Sequence, residues 1–276
     1  MTRVRSAVIA AAVLGVALIA APLRAQSVDT LRARYRIPEP PPAAADRATI
    51  YGAAPALSAN TPVGFGAALG DVWGGVGLQL TTRFTVQPDA MAGIGVGLGD
   101  ADRFVGVDLD AISFSTVRHG IASRAALDVK VHRRLGERTA LAVGVESAVS
   151  RNVDHHASYY AVGTRIVRLR AAPGAAFGEV ATSVGVGTGR FRTENQWLDD
   201  VKTANVFGAA ALRVIEPVHV IAEWTGQDLA VNLSVVPLRR LPFVVTAGVV
   251  DATRRTGDGP RFVAATGAGF NLRGRR

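Results

Sequence analysis

Windows of about ten residues in which apolar and polar side chains strictly alternate recur from Val63 to Leu272, and turn residues separate them. In "LDVKVHRRL" (127–135), Leu127, Val129 and Val131 share one parity, while Asp128, Lys130, His132 and Arg134 share the other. A period of two describes a strand with one apolar and one wet face, whereas an amphipathic helix would repeat apolar residues at three and four. "VGLQLTTRF", "RFVGVDLDA", "TALAVGVESAV", "VHVIAEW" and "DLAVNLSVV" repeat the pattern. Ten-residue alternating segments joined by turns are the signature of a transmembrane β-barrel, with the apolar face toward lipid and the polar face toward the lumen. A soluble β-sandwich also alternates, with its apolar faces turned inward. Its strands average five or six residues, shorter than several windows here.

Twelve strands are predicted, near 72–84, 90–99, 103–115, 123–135, 138–150, 158–170, 177–189, 204–216, 218–225, 228–236, 242–251 and 260–272. Connections two, four, six, eight and ten are short, whereas the fifth and seventh, "RNVDHHA" and "RFRTENQWLDDVKTA", are long and polar; the ninth, "GQ", is short although it falls on the outer side. That asymmetry matches short periplasmic turns and longer outer loops, and an even count places both barrel ends on the periplasmic side. "VGFGAALG" (63–70) is a candidate further strand, which would raise the count to fourteen with one more unrecognised.

The N-terminus carries a basic Arg3 and Arg5, an apolar run from Ser6 to Ala21, and a small residue, Ala25, at a cleavage position. This reads as a secretory signal over residues 1–25. Residues 26–62, with "RIPEPPPAAADR", read as a periplasmic proline-rich linker, and 63–276 as the barrel. The absence of cysteine excludes disulfides and a lipid-bearing cysteine after the signal. The formal charge of +9 falls to +6 without the three arginines of residues 1–25. An exported chain without a basic, aromatic-interleaved patch is not expected to bind nucleic acid. Arginines in turns and in the tail suit anionic lipid headgroups instead.

Strand parity places Arg83, Asp108, Asp110, Asp128, Lys130, His132, Arg134, Glu146, Glu179, Arg213, His219 and Glu223 in the lumen. Their mixed signs favour cross-strand pairing, notably of Lys130 and Arg134 with Asp108, Asp110 and Glu146. Such charges either tune a water-filled pore or close a narrow lumen. Asp154, His155 and His156 are adjacent in a loop and lack the spacing of a preformed metal site. Ser113, Ser115, His119 and Ser123 cluster near one loop without a recognisable Ser–His motif, so no enzyme is expected. Trp197 in "TENQWLDD" suits either a binding loop or the lipid headgroup level. The glycines of "GLGDAD" and "GVGTG" precede no helix and read as strand and turn glycines.

Near the C-terminus, Gly267 is followed by Phe270 and Leu272 on one face, which resembles the assembly signal read by the barrel-assembly machinery; the trailing "RGRR" departs from it. With "NVFGAAALRVIEPVHVIAEWTGQDLAVNLSVVPLRRLPFVVTAGVVD", residues 63–272 resemble uncharacterised, porin-like outer-membrane β-barrel proteins of Gram-negative bacteria. The resemblance implies fold and location, and no substrate or functional residue. The expectation is therefore an all-β, closed antiparallel barrel in outer-membrane lipid, without a cofactor. Its first expected role is passive passage of small solutes. The alternative is a closed barrel that anchors or partners cell-envelope or polysaccharide assembly, and a lipid hydrolase comes third.

Overall fold

The computed structural model describes residues 53–81, 87–114, 116–121, 123–152, 157–172, 175–238, 240–254 and 259–273. Twelve strands form one closed barrel: β1 (Asp71–Gln79), β2 (Asp89–Gly99), β3 (Gly106–Phe114), β4 (Arg124–Gly136), β5 (Thr139–Arg151), β6 (Ser158–Arg168), β7 (Glu179–Gly187), β8 (Asn205–Ile215), β9 (Val218–Trp224), β10 (Leu229–Val235), β11 (Phe243–Val250) and β12 (Arg261–Asn271). Each strand pairs antiparallel with its sequence neighbours, and β1 closes on β12 from Asp71↔Asn271 to Gln79↔Val263. Closure leaves no sheet edge unpaired, a requirement for backbone in hydrocarbon. Residues 63–70 form no strand, so the count is twelve and the fourteen-strand alternative falls away.

The alternation is realised face by face. Most outward residues are apolar, and many are open, including Ile94 (68% exposed), Val184 (68%) and Val206 (59%). Inward residues are mostly small or polar and buried, among them Ala140, Ala142, Thr164, Ser183 and Ser234, with Phe207, Val162 and Ile221 as buried apolar exceptions. Outward aromatic residues of the strands sit near strand ends: Phe243 and Phe270 by the short turns, Tyr159, Trp224 and Phe262 by the long loops. Few aromatics are therefore present, but those that face outward form two sparse rims.

Connections 100–105, 137–138 and 216–217 lie at the end where β1 begins and β12 finishes. The longest connection, 188–204, lies at the opposite end and holds a 3₁₀ turn (Gly189–Phe191) and helix α2 (Glu194–Leu198); a short helix α1 (Thr116–His119) lies in the loop before β4. Thr193 caps α2 in a capping box with Gln196, which places Trp197 on a short ordered helix in this loop.

The β4–β5 ladder is interrupted between Leu127 and Val129, where Ser147 takes a positive φ of 54°. The Asp128 carboxylate accepts from the Ser147 N–H at 2.6 Å and fixes this bulge.

Candidate functional site

The lumen is occupied by the chain itself. Residues 53–70, which precede β1, run inside the barrel as a re-entrant loop. Near the short-turn end the Ala56 N–H donates to Ser234 Oγ at 2.9 Å, and the Ala56 carbonyl lies 3.1 Å from His219 Nδ1. His219 begins β9, whereas Glu223 lies near its far end, so the segment climbs the lumen between these contacts. It then returns: the Gly64 N–H donates to Thr164 Oγ1 at 2.8 Å, and the Ala67 N–H to Asp108 Oδ1 at 3.0 Å, close to the start of β1.

The turn of this loop wraps a single carboxylate. Glu223, 1% exposed, accepts from Ser58 Oγ (2.6 Å), the Ala59 N–H (3.3 Å), the Asn60 N–H (3.1 Å), Asn60 Nδ2 (2.6 Å) and Thr61 Oγ1 (3.3 Å). From the wall, Asn232 Nδ2 adds a further donor at 2.9 Å. The Thr61 N–H donates to Ser58 Oγ at 3.0 Å, which closes the turn with its own side chain. A buried carboxylate is costly unless its lone pairs are filled, and here N–H and O–H groups of four consecutive residues fill them.

Lower in the lumen, Asp108 gathers a second set of contacts. Lys130 Nζ lies 2.7 Å from Asp108 Oδ2 and donates to the Phe65 carbonyl at 3.0 Å. His132 Nε2 lies 3.1 Å from Asp108 Oδ1, on the same oxygen that receives Ala67. Gly66 passes so close to the His132 ring and the Asp108 carboxylate that a β-carbon there would overlap both.

A third set lies at the long-loop end. Arg190, in the 3₁₀ turn, forms a bidentate pair with Glu146 of β5, with Nη2 to Oε1 at 2.7 Å, and Nη1 donates to the Asn60 carbonyl at 2.9 Å. Its guanidinium carbon sits 4.4 Å from the centre of the Phe191 ring. Phe191 stacks on Phe207 at 4.3 Å between centroids, and Tyr160 meets both rings edge-on. Space for Phe207 inside the wall comes from Gly185, whose missing side chain its ring replaces.

The sequence-predicted residues fall as follows. All except Arg83, which lies outside the described residues, project to the inner side of the wall or its rim. Lys130 pairs with Asp108 as expected. Glu146 and Arg134 do not pair across β4 and β5: Glu146 takes Arg190 from a loop, and Arg134 takes Asp102 from the β2–β3 turn at 3.3 Å. Asp110 accepts from Trp73 Nε1 at 2.8 Å, and Arg213 pairs with Glu179. Phe270 and Leu272 face outward together, 59% and 69% exposed, while Gly267 has the opposite parity.

Asp154, His155, His156 and Ser115 lie outside the described residues, as do the side chain of His119 and residues 1–52, including the signal; Ser113 lies on β3 at the long-loop end. Among the described residues no group of His, Asp and Glu has the arrangement of a metal site. Sequence reasoning missed Arg190, Asn60 and the whole inserted segment; Asn232 is marked only by its polar parity on the strand. "LSANT" (57–61) carried the one available sign, a Ser, Asn and Thr turn that begins three residues after Pro55.

The fold and lumen define a class: a closed antiparallel barrel of twelve strands with a re-entrant N-terminal segment bound inside. No protein-family model matches the sequence, and no curated protein matches it significantly.

Proposed function

We propose that this protein is an outer-membrane β-barrel whose lumen is a gated path for small solutes, held shut at rest by residues 53–70. The outward Val, Leu and Ile face and its aromatic rims support the membrane setting, and the inward polar face supports a lumen that tolerates water. The outward pair Phe270 and Leu272 supports delivery by the barrel-assembly machinery.

The observation that carries the gated reading is the Glu223 cradle. The turn of the segment is held by hydrogen bonds from its backbone and short polar side chains to wall residues, which exchange for water, while Ala56 and Leu57 pack on the apolar cluster of Ala181, Ala211 and Ile221. Its small residues also leave space: a cavity of about 930 Å³ at the short-turn end is lined by Ala53, Ala54 and Ala67 against Val244, Gly267 and Asn271.

Ion conductance of the refolded mature chain in a planar bilayer tests this. The intact chain is expected to stay mostly closed, and Glu223→Ala to open in discrete steps. Equal silence from both, with insertion demonstrated, would end the gated reading. The second reading, a closed barrel that anchors or partners envelope assembly, draws on the Phe191–Phe207 stack and the Arg190–Glu146 pair, which narrow the long-loop end independently of the segment. Permanent silence favours it.

A further inference from the structure

Five arginines crowd one edge of the short-turn end: Arg133 on β4, Arg138 in the turn to β5, Arg165 and Arg168 on β6, and Arg170 just beyond. The register brings them together. β5 lies between β4 and β6, Thr139 stands opposite Arg165, and the Ile166 N–H donates to the Arg138 carbonyl at 2.8 Å. Arg133 and Arg165 share the outward parity of Val131 and Val167, so they leave the wall on its apolar side.

Two observations distinguish this edge from ordinary surface charge. First, among the described residues none of the five forms an ion pair, although neighbouring arginines do: Arg134 with Asp102, and Arg213 with Glu179. Glu137, in the same turn as Arg138, is exposed; its carbonyl oxygen accepts from Arg134 at 3.4 Å. Second, large apolar side chains are interleaved with the cations and left open: Leu135 (46% exposed), Val167 (40%), Leu169 (52%) and Phe177 (48%). A purely aqueous partner would leave those apolar groups in water, whereas the boundary between hydrocarbon and headgroups satisfies both kinds.

We propose that this edge binds anionic phospholipid headgroups, with Arg133 and Arg165 holding the phosphodiester and acyl chains lying along Val167, Leu135 and Leu169. The guanidinium fork matches the two free oxygens of a phosphodiester, and an uncompensated cation there attracts negative charge without first breaking an internal pair. This proposal rests on the membrane reading above, and not on the gate.

The test is lipid selectivity of the refolded full chain in vesicles, read from the motionally restricted fraction of spin-labelled phosphatidylglycerol against spin-labelled phosphatidylcholine. The wild type is expected to enrich phosphatidylglycerol, by roughly fivefold for each arginine engaged. Arg133→Gln with Arg165→Gln brings the ratio close to one, while strand content and heat-shifted gel mobility persist. Arg103→Gln, at a side chain that is 82% exposed with its Nε 3.6 Å from Asp100, leaves the ratio unchanged. Equal enrichment by wild type and the double variant, or none by wild type, overturns the proposal while the membrane reading stands. Failure to insert into vesicles of either composition overturns both.

Discussion

Arg190 and Asn60 lie 130 residues apart in sequence and 2.9 Å apart in space, the guanidinium of one donating to the carbonyl of the other. Arg190 belongs to the loop at the long-loop end, and Asn60 to the turn of a segment that enters from the opposite end. The same guanidinium holds Glu146 on the wall, so one side chain joins loop, wall and inserted segment.

Replacing Arg190 by Ala therefore removes three hydrogen bonds at once, two to Glu146 and one to Asn60. Glu146 is left partly buried without its cation, and Asn60 loses its link to the loop. The Arg190 side chain is 38% exposed, so the cost belongs nearer to exposed than to buried pairs, about 1–2 kcal/mol. Urea unfolding of Arg190→Ala, Glu146→Ala and the double variant in lipid vesicles checks this. A coupling of about 1 kcal/mol is expected; additive single effects would show that the pair is inert.

Glu223 makes a sharper prediction, because its donors belong to consecutive residues of the segment. Glu223→Gln keeps the shape but loses the charge and one acceptor, which weakens the cradle by about 1.5–3 kcal/mol. Hydrogen exchange at the Ala59 and Asn60 amides is expected to quicken at least tenfold, while the β1–β12 amides keep their protection. Unchanged exchange at Ala59 and Asn60 would show that Glu223 does not hold the turn.

The wall was legible in the sequence and its contents were not, for one physical reason. Alternation such as Leu127, Val129, Val131 against Asp128, Lys130, His132 is a local imprint of a face, so it gives strand, parity and side together. Within residues 53–70 the alternation of "VGFGAALG" imitates a strand, and the rest carries no period, because Ala56 and Leu57 pack on Ala181, Ala211 and Ile221 while Ser58 to Thr61 turn around a carboxylate. Much of their bonding is by backbone, as at Ala59, Gly64 and Ala67, and a backbone amide leaves no trace in the side-chain pattern. Partners from loops were hidden likewise. Glu146 was expected to find a cation on β4, yet Asp108 occupies Lys130, and Arg190 arrives from a turn whose inward fold rests on Phe191 packing against Phe207.

Gly64 separates the gate from the wall. A β-carbon at this position would overlap the Ala140 carbonyl and crowd the Thr164 backbone N–H, and both belong to strands that cannot retreat without breaking the ladder. In Gly64→Val the segment must yield. Conductance is expected to rise, and protease is expected to reach residues 53–70, with strand content and heat-shifted mobility unchanged. A fully closed Gly64→Val with normal insertion would mean that the lumen is blocked by the aromatic cluster alone.

That cluster gives the last prediction. Phe207, 1% exposed, projects from β8 over Gly185 and stacks on Phe191, which carries the 3₁₀ turn inward. Phe207→Ala empties a packed site and is expected to cost about 3–5 kcal/mol, whereas Phe207→Leu, which conserves most of the volume, costs under about 1.5 kcal/mol. The turn loses its support in the alanine variant, so Arg190 loses its position over the Phe191 ring and beside Glu146. If packing positions the arginine, adding Arg190→Ala to Phe207→Ala costs little more, because the pair is already lost. Full additivity in urea unfolding would instead show that Arg190 finds Glu146 and Asn60 without the aromatic stack, and the long-loop end would then hold the segment by charge alone.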